Sequence, residues 1–201
     1  MDMKEIRRTA KAYYENLSDE KKGDVDRFFK KMDRNGDGQI NLAEFVGYLW
    51  NDNNTVLTDP SLFKALDTDG NGNLDRKEAI VLYYIKKSGR ALSCKSCDKF
   101  LAGAYFSCSQ CFFKDSSSIY GICCDCYGKK KFTDHHSDAI FLDNYTLLLQ
   151  SRSVVHAAPK KKREMALQIL KQGLQLASFT GALECFFNGG AGDDDSNCSI
   201  M

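Results

Sequence analysis

The chain has 201 residues, of which 43% are hydrophobic, and its 28 basic and 27 acidic side chains leave a formal net charge of +1. This balance offers no bulk charge for nucleic acid, and the length suits one or two small domains. The N-terminal stretch is charged and lacks an apolar core, so we expect no signal peptide and a reducing compartment. The nine cysteines are therefore predicted to be metal ligands rather than disulfides.

The pattern predicts two helices at the start of the chain. Residues 1–17 form the first, and its apolar side chains fall roughly on one face: Ile6, Ala10, Tyr13, Tyr14 and Leu17. Ser18 is a suitable N-cap for a second helix over 19–32. The apolar face of that helix consists of Val25, Phe28, Phe29 and Met32.

Two stretches rich in oxygen-bearing side chains follow, DRNGDGQINLAE at 33–44 and DTDGNGNLDRKE at 67–78. Calcium takes about six to eight oxygen ligands on a tight curve of backbone. In the first stretch the candidate ligands are Asp33, Asn35, Asp37, the backbone carbonyl of Gln39, Asn41 and Glu44. In the second they are Asp67, Asp69, Asn71, the backbone carbonyl of Asn73, Asp75 and Glu78. The repeat predicts two calcium sites.

Both stretches match the pattern D-x-[DN]-x-[DN]-G-x5-E, and the region 18–90 resembles a pair of EF-hands. The resemblance implies that each final glutamate binds calcium with both oxygens. Gly38 and Gly72 stand where the chain turns sharply and a Cβ would obstruct it. Ile40 and Leu74 are expected to face each other in a short antiparallel bridge.

The flanks of the loops predict the remaining helices of this region. An apolar exit helix follows the first loop and contains Phe45, Val46, Tyr48, Leu49 and Trp50. Residues 51–58 are mostly polar and are interpreted as a linker. Asp59 and Pro60 provide an N-cap and a proline in the first helical position. The last exit helix is expected to stop near Ser88 and Gly89.

Three C-x-x-C pairs and two adjacent histidines come next. They are Cys94/Cys97, Cys108/Cys111, Cys123/Cys126 and His135/His136. Two such knuckles supply four ligands to a tetrahedral zinc ion. These eight residues would saturate two zinc ions, one held by four thiolates and one by two thiolates and two imidazoles. A segment of this size with few aliphatic residues needs such ions to be stable.

The stretch 92–145 resembles a ZZ-type zinc finger in the order of its ligands and in the segment Tyr120-Gly121-Ile122-Cys123. The resemblance implies a cross-brace, in which the first and third cysteine pairs hold one zinc. The middle pair and the histidines then hold the other. Because neighbouring histidines rarely reach one metal, Asp134 beside His136 is an alternative ligand. Cys124 is interpreted as a buried or unligated thiol.

The last part of the chain combines a basic run, an apolar helix and a polar tail. Lys160–Arg163 suits a nuclear address, anionic lipid or a solvated helix start equally. An amphipathic helix is predicted over 160–187, with an apolar part over 163–187. Lys171 and Glu184 interrupt this part, and the uninterrupted apolar run is too short to span a bilayer of about 30 Å. The helix either packs into the protein core or lies at a membrane interface or in a groove. Residues 188–201 are expected to form a flexible tail.

The sequence closes on Cys198-Ser199-Ile200-Met201, which fits a C-a-a-X box for farnesylation of Cys198. One lipid gives only reversible anchoring. The helix over 163–187 is the candidate second membrane signal.

These features together predict a mainly α fold, with paired EF-hands followed by a small zinc-stabilised irregular/β module and a C-terminal amphipathic helix. The predicted function is a calcium sensor and adaptor that presents apolar surface to protein partners, with Ca²⁺ and Zn²⁺ as its metals. We expect no enzyme activity and no nucleic-acid partner. The expected location is the cytoplasm or the cytoplasmic face of a membrane. The alternatives are a passive calcium buffer and a nuclear zinc-finger regulator.

Overall fold

The computed structural model describes residues 3–50, 57–114, 119–133, 136 and 139–164. The described part is mainly helical, with one two-stranded and one three-stranded sheet. The chain divides into two compact units, Met1–Ser93 with Lys99–Gly103, and Cys94–Asp98 with Ala104–Met201. Most of the predicted helix over 160–187 and the tail over 188–201 lie outside the described residues.

The first unit contains five helices and one short two-stranded sheet among its described residues. The helices are α1 (Met3–Glu15), α2 (Asp19–Met32), α3 (Leu42–Trp50), α4 (Pro60–Leu66) and α5 (Arg76–Lys87). The strands are β1 (Ile40–Asn41) and β2 (Asn73–Leu74), which pair antiparallel. The order helix, loop, helix therefore occurs twice, after one additional N-terminal helix.

Local capping explains where these helices begin. The Asp59 carboxylate accepts a hydrogen bond of 2.7 Å from the backbone N–H of Ser61, so the predicted cap of α4 is confirmed. Asp75 and Glu78 form a reciprocal capping box at α5. Ser18 lies at the N-cap position of α2, but its side chain makes no capping hydrogen bond. The predicted N-cap position is therefore confirmed, without a side-chain hydrogen bond.

The core of this unit is built from the predicted apolar faces. The four apolar residues predicted for α2 are buried, and so are Phe45 and Leu49 of α3. Helix α5 is unusual, because every residue from Ala79 to Ile85 is buried. Leu57, in the predicted and mostly polar linker, is fully buried, whereas Trp50 at the end of α3 is 71% exposed.

The second unit is a small antiparallel sheet with short helices. The strands are β3 (Tyr105–Cys108), β4 (Gly121–Cys123) and β5 (Phe141–Asp143), in the order β4-β3-β5. The helices are α6 (Ser109–Lys114), α7 (Cys124–Gly128) and α8 (Asn144–Ala157). Phe106 stacks on Tyr127 at 3.7 Å between ring centroids, and Phe132 stacks on the same tyrosine at 5.4 Å. Stacked aromatic rings thus contribute to the packing of the second unit.

The apolar residues Phe141, Leu142 and Tyr145–Leu149 predict a short packed continuation of the finger, and helix α8 differs from this expectation. It runs for 14 residues and buries Leu147, but Leu148 and Leu149 are 64% and 63% exposed. Within the described ranges, no helix combines the length and apolar character needed to cross a lipid bilayer.

Candidate metal centres

The first predicted calcium loop is held in a tight curve by its own acidic side chains. The two oxygens of Asp33 accept hydrogen bonds from the backbone N–H groups of Gly36, at 2.8 Å, and Gly38, at 3.0 Å. Asp37 accepts one from the N–H of Gln39 at 2.8 Å. These bonds hold the backbone of the loop in a tight curve.

Glu44 closes the first loop from the start of α3. It is only 7% exposed, and its Oε1 and Oε2 accept hydrogen bonds from the N–H groups of Arg34, at 2.9 Å, and Asn41, at 3.0 Å. A buried carboxylate is stable only when it is hydrogen-bonded or paired. The position-twelve glutamate is therefore already turned toward the loop.

The second loop repeats this arrangement in detail. Asp67 accepts hydrogen bonds from the N–H groups of Gly70 at 2.8 Å and Gly72 at 2.9 Å. The two oxygens of Glu78 accept from Thr68 at 2.6 Å and from Asp75 at 3.0 Å. Because both loops form the same bonds, the geometry follows from the shared sequence pattern.

The second loop also gathers its negative charge more closely. Ligand oxygens of Asp67, Asp69 and Glu78 lie within 4.8 Å of one another. Desolvation raises the pKa of Asp67, but hydrogen bonds from the N–H groups of Gly72 and Gly70 outweigh it and hold the pKa below its ordinary value. The carboxylate is thus kept ionised, as a calcium ligand must be.

The glycines at position six are explained by backbone conformation. Gly38 and Gly72 have φ angles of +83° and +82°, and no atom lies within 4 Å of where a Cβ would stand. The obstruction expected for a Cβ therefore comes from the backbone conformation and not from neighbouring atoms. Left-handed φ values bring a Cβ against the residue's own backbone, which glycine avoids. Gly36 and Gly70 share this conformation, at φ +73° and +72°, and were not singled out from the sequence.

The two loops are joined where the sequence predicted. Ile40 pairs with Leu74 in the β1–β2 bridge, and both side chains are fully buried. The predicted bridge is confirmed. The two loops are therefore in direct apolar contact.

Four cysteines of the second unit converge as the zinc-finger resemblance implied. The sulfurs of Cys94, Cys97, Cys123 and Cys126 lie within 4.8 Å of one another. The Sγ atoms of Cys97 and Cys123 are 3.8 Å apart. Sulfurs around a tetrahedral zinc, with Zn–S bonds of about 2.3 Å, stand about 3.8 Å apart. The donor set and the spacing fit a zinc ion.

Backbone hydrogen bonds favour thiolates in this cluster. The N–H of Cys123 donates to Cys94 Sγ at 3.3 Å, and the N–H of Cys126 donates to Cys123 Sγ at 3.4 Å. Burial raises the pKa of Cys94, but N–H groups from Cys123, Ser96 and Cys97 lower it to about 7 overall. Desolvation raises the pKa of Cys123, its neighbour in the cluster.

A second group brings together Cys108, Cys111 and His136. The Sγ of Cys111 lies 3.4 Å from Nε2 of His136. Cys108 is buried, at the end of β3, and Cys111 follows in α6. Three of the four candidate ligands predicted for the second zinc site thus lie together. His135 and the alternative ligand Asp134 lie outside the described residues, and so does Cys198.

Cys124, interpreted as a buried or unligated thiol, is exposed and lies outside both cysteine groups. Its thiol donates to the carbonyl of Ala104 at 3.3 Å. The docking of α1 on α5 was not anticipated from the sequence. The available signal was the uninterrupted apolar run from Ala79 to Ile85, because a helix that is apolar all round must be covered on all sides.

Comparisons with known proteins point to the same loops. A family model described as EF hand domain matches residues 24–51, and a second, described as EF hand, matches residues 60–78. Neither describes an enzyme.

Short calcium-binding proteins of plants are similar to part of the chain. It is 41% identical over 59 residues to polcalcin Cyn d 7 of Cynodon dactylon, covering 29% of this chain and 74% of that relative. It is 41% identical over 58 residues to the probable calcium-binding protein CML29 of Arabidopsis thaliana, covering 28% and 70%. The match to CML28 of the same plant is 42% over 60 residues, covering 29% and 72%. No solved structure matches the chain. The chain belongs to the EF-hand family of calcium-binding proteins.

Proposed function

We propose that this calcium-binding protein is a sensor and adaptor, whose paired loops change the surface offered to protein partners. The observation that carries the proposal is the linkage of the loops. Each position-twelve glutamate stands at the start of an exit helix, and Ile40 and Leu74 join the loops directly. Filling a loop moves its exit helix, as in sensor EF-hands.

The second loop is proposed to bind calcium more tightly. It offers four carboxylates, Asp67, Asp69, Asp75 and Glu78, whereas the first offers only Asp33, Asp37 and Glu44. Three of the four already cluster within 4.8 Å. Since affinity rises with ligand charge, we expect dissociation constants in the sensor range of about 10⁻⁷–10⁻⁵ M.

The surface that responds to calcium is proposed to come from the core of the first unit. Phe28, Met32, Phe45 and Leu49 are all buried in this structure. Calcium opens sensor EF-hands from an interhelical angle of about 130–140° to about 90–100°. Such an opening would present these side chains to an apolar partner.

A buffer would fill both loops without opening, and Trp50 distinguishes the two functions. Its side chain is 71% exposed at the end of α3, so its emission reports the surroundings of that helix. For a sensor, calcium titration should shift the emission and induce binding of a hydrophobic dye. Full calcium uptake with neither change would identify a buffer.

Zinc is proposed to be structural. The four thiolates around Cys94 fit a closed tetrahedral site, which leaves no open position for chemistry. Cys108, Cys111 and His136 would hold the second ion with a fourth ligand, for which His135 is the candidate. The zinc module would then be a rigid platform for another partner.

Membrane tethering through a farnesyl group on Cys198 is proposed from the C-a-a-X tetrapeptide and requires that this end be free. The helix over 163–187 would add the second signal. In cells, the Cys198→Ser variant should leave the membrane fraction, whereas the intact chain and a Cys124→Ser control remain there. Nuclear staining that is the same in all three would favour the nuclear regulator and refute tethering.

A further inference from the structure

Helix α1 lies on the second EF-hand and covers a face that the four EF-hand helices leave open. Ile6 and Ala10 are 1% and 0% exposed in the apolar core of the first unit. Tyr13 packs on Tyr84 of α5 at 5.3 Å between ring centroids. Helix α1 thus packs its apolar face against α5, as an amphipathic helix of a partner packs into a groove.

Two polar contacts attach α1 to opposite sides of the second calcium loop. Arg7 Nη2 donates to the backbone carbonyl of Ala65, in the last turn of α4, at 2.6 Å. The Tyr14 hydroxyl accepts from Arg76 Nη2, at the start of α5, at 2.8 Å. Asp67 and Asp75, the flanking loop residues, are candidate calcium ligands. Because one contact joins α1 to α4 and the other joins α1 to α5, both can form only at a suitable angle between α4 and α5.

The contact surface of α1 leaves one buried hydrogen-bond donor without a partner among the described residues. This donor is Nε of Arg7. A buried donor without a partner costs free energy, so it offsets part of the stabilisation that the burial of Ile6 and Ala10 provides. The Tyr14 ring packs against the core and also lies near two cations, the Arg76 guanidinium 5.5 Å and the Lys22 ammonium 5.9 Å from its centroid.

We propose that α1 is an intramolecular ligand of the EF-hand pair, released when calcium changes the α4–α5 angle and replaced by an amphipathic helix of a partner. This inference rests on the proposed sensor function. Arg7 and Tyr14 are about 10 Å apart along α1. A rotation of about 40° over that length moves one attachment by about 7 Å relative to the other, so both hydrogen bonds cannot persist.

The side chains that the replacement helix needs follow from the surface that α1 now covers. It needs a branched aliphatic residue, a small residue four positions later and aromatic residues seven and eight positions later, as in Ile6, Ala10, Tyr13 and Tyr14. A cation beside the first would reach the Ala65 carbonyl at the negative end of α4. The expected partner is thus a basic amphipathic helix.

Hydrogen–deuterium exchange of the full-length, unmodified chain with and without calcium tests the proposal. Calcium should slow the loop amides around Gly38 and Gly72 and speed exchange across α1 at least about tenfold, while α5 stays protected. If the loops slow and α1 does not speed up, the inference is overturned and the calcium-binding function stands. If the loops do not respond, both fail.

A matched pair of variants provides a second reading by calorimetry. Ile6→Asn replaces a buried apolar side chain of α1 by a polar one. Thr9→Asn introduces the same residue at an exposed position of the same helix. Undocking should raise the calcium affinity of the second loop about fivefold or more, with no change in the control. Tyr14→Phe, which loses only the hydroxyl contact, should raise it less and guards against misfolding of Ile6→Asn. Unchanged or weaker calcium binding in both Ile6→Asn and Tyr14→Phe would make α1 a fixed structural helix.

Discussion

Glu78→Gln is expected to weaken calcium binding at the second loop about a hundredfold or more. The substitution keeps the size of the side chain but removes its charge and one of its two ligand oxygens. It also leaves Asp75 N–H or Thr68 N–H without its carboxylate acceptor, because one Glu78 oxygen serves each of them. Isothermal titration calorimetry should show the loss of the tighter binding event.

The chain offers two controls for this experiment. Glu20→Gln changes an exposed residue in the first turn of α2 and should leave both binding events intact. Glu44→Gln should remove the weaker event instead. If Glu78→Gln behaves like Glu20→Gln, calcium does not bind in the second loop. If Glu44→Gln removes the tighter event, the proposed ranking of the loops is wrong.

Removal of zinc is expected to unfold the second unit and leave the first folded. Apart from cysteines, the buried apolar residues described in the second unit are only Ile122 and Leu147. The first unit has a continuous core that includes fully buried Met32, Phe45, Leu62 and Leu82. Zinc in structural sites contributes about 10–16 kcal/mol, which this small core cannot replace.

A zinc-selective chelator added to the full chain in excess calcium should therefore abolish protection of β3, β4 and β5 against hydrogen exchange. The helices α2 to α5 should stay protected. Cys94→Ser should act like the chelator, whereas Cys124→Ser, at an exposed thiol outside both clusters, should not. Native protection of the sheet in chelated protein, or a metal analysis without zinc, would contradict the proposal.

Features of the fold that depend on local interactions could be predicted from the sequence. The bounds of α2, the cap at Asp59 and the Ile40–Leu74 bridge were predicted correctly, because periodicity, capping and loop pattern act within a few residues. The grouping of the cysteines came from a resemblance rather than from spacing, since pairs far apart in the chain meet only after the strands pair. The eight zinc ligands as a set, and calcium coordination by the twelve loop residues, stay predictions.

The failures have physical causes as well. Leu57 was placed in a polar linker because the neighbouring residues are polar, and only the folded core supplies the cavity that buries it. Leu148 and Leu149 were expected to pack, but no other described element covers the face of α8 on which they lie. The pattern of apolar residues in α8 does not indicate which face a neighbouring element will cover.

The sequence alone determined that the chain binds calcium, since ligand type, glycine position and spacing lie within two continuous stretches of twelve residues. It also predicted which cysteines could bind a metal. Tertiary structure decided what covers α5, because Ile6 and Ala10 lie far from Tyr84 along the chain and only packing brings them together. A local pattern specifies a loop, whereas the partner of an apolar face is chosen by shape and burial across the fold.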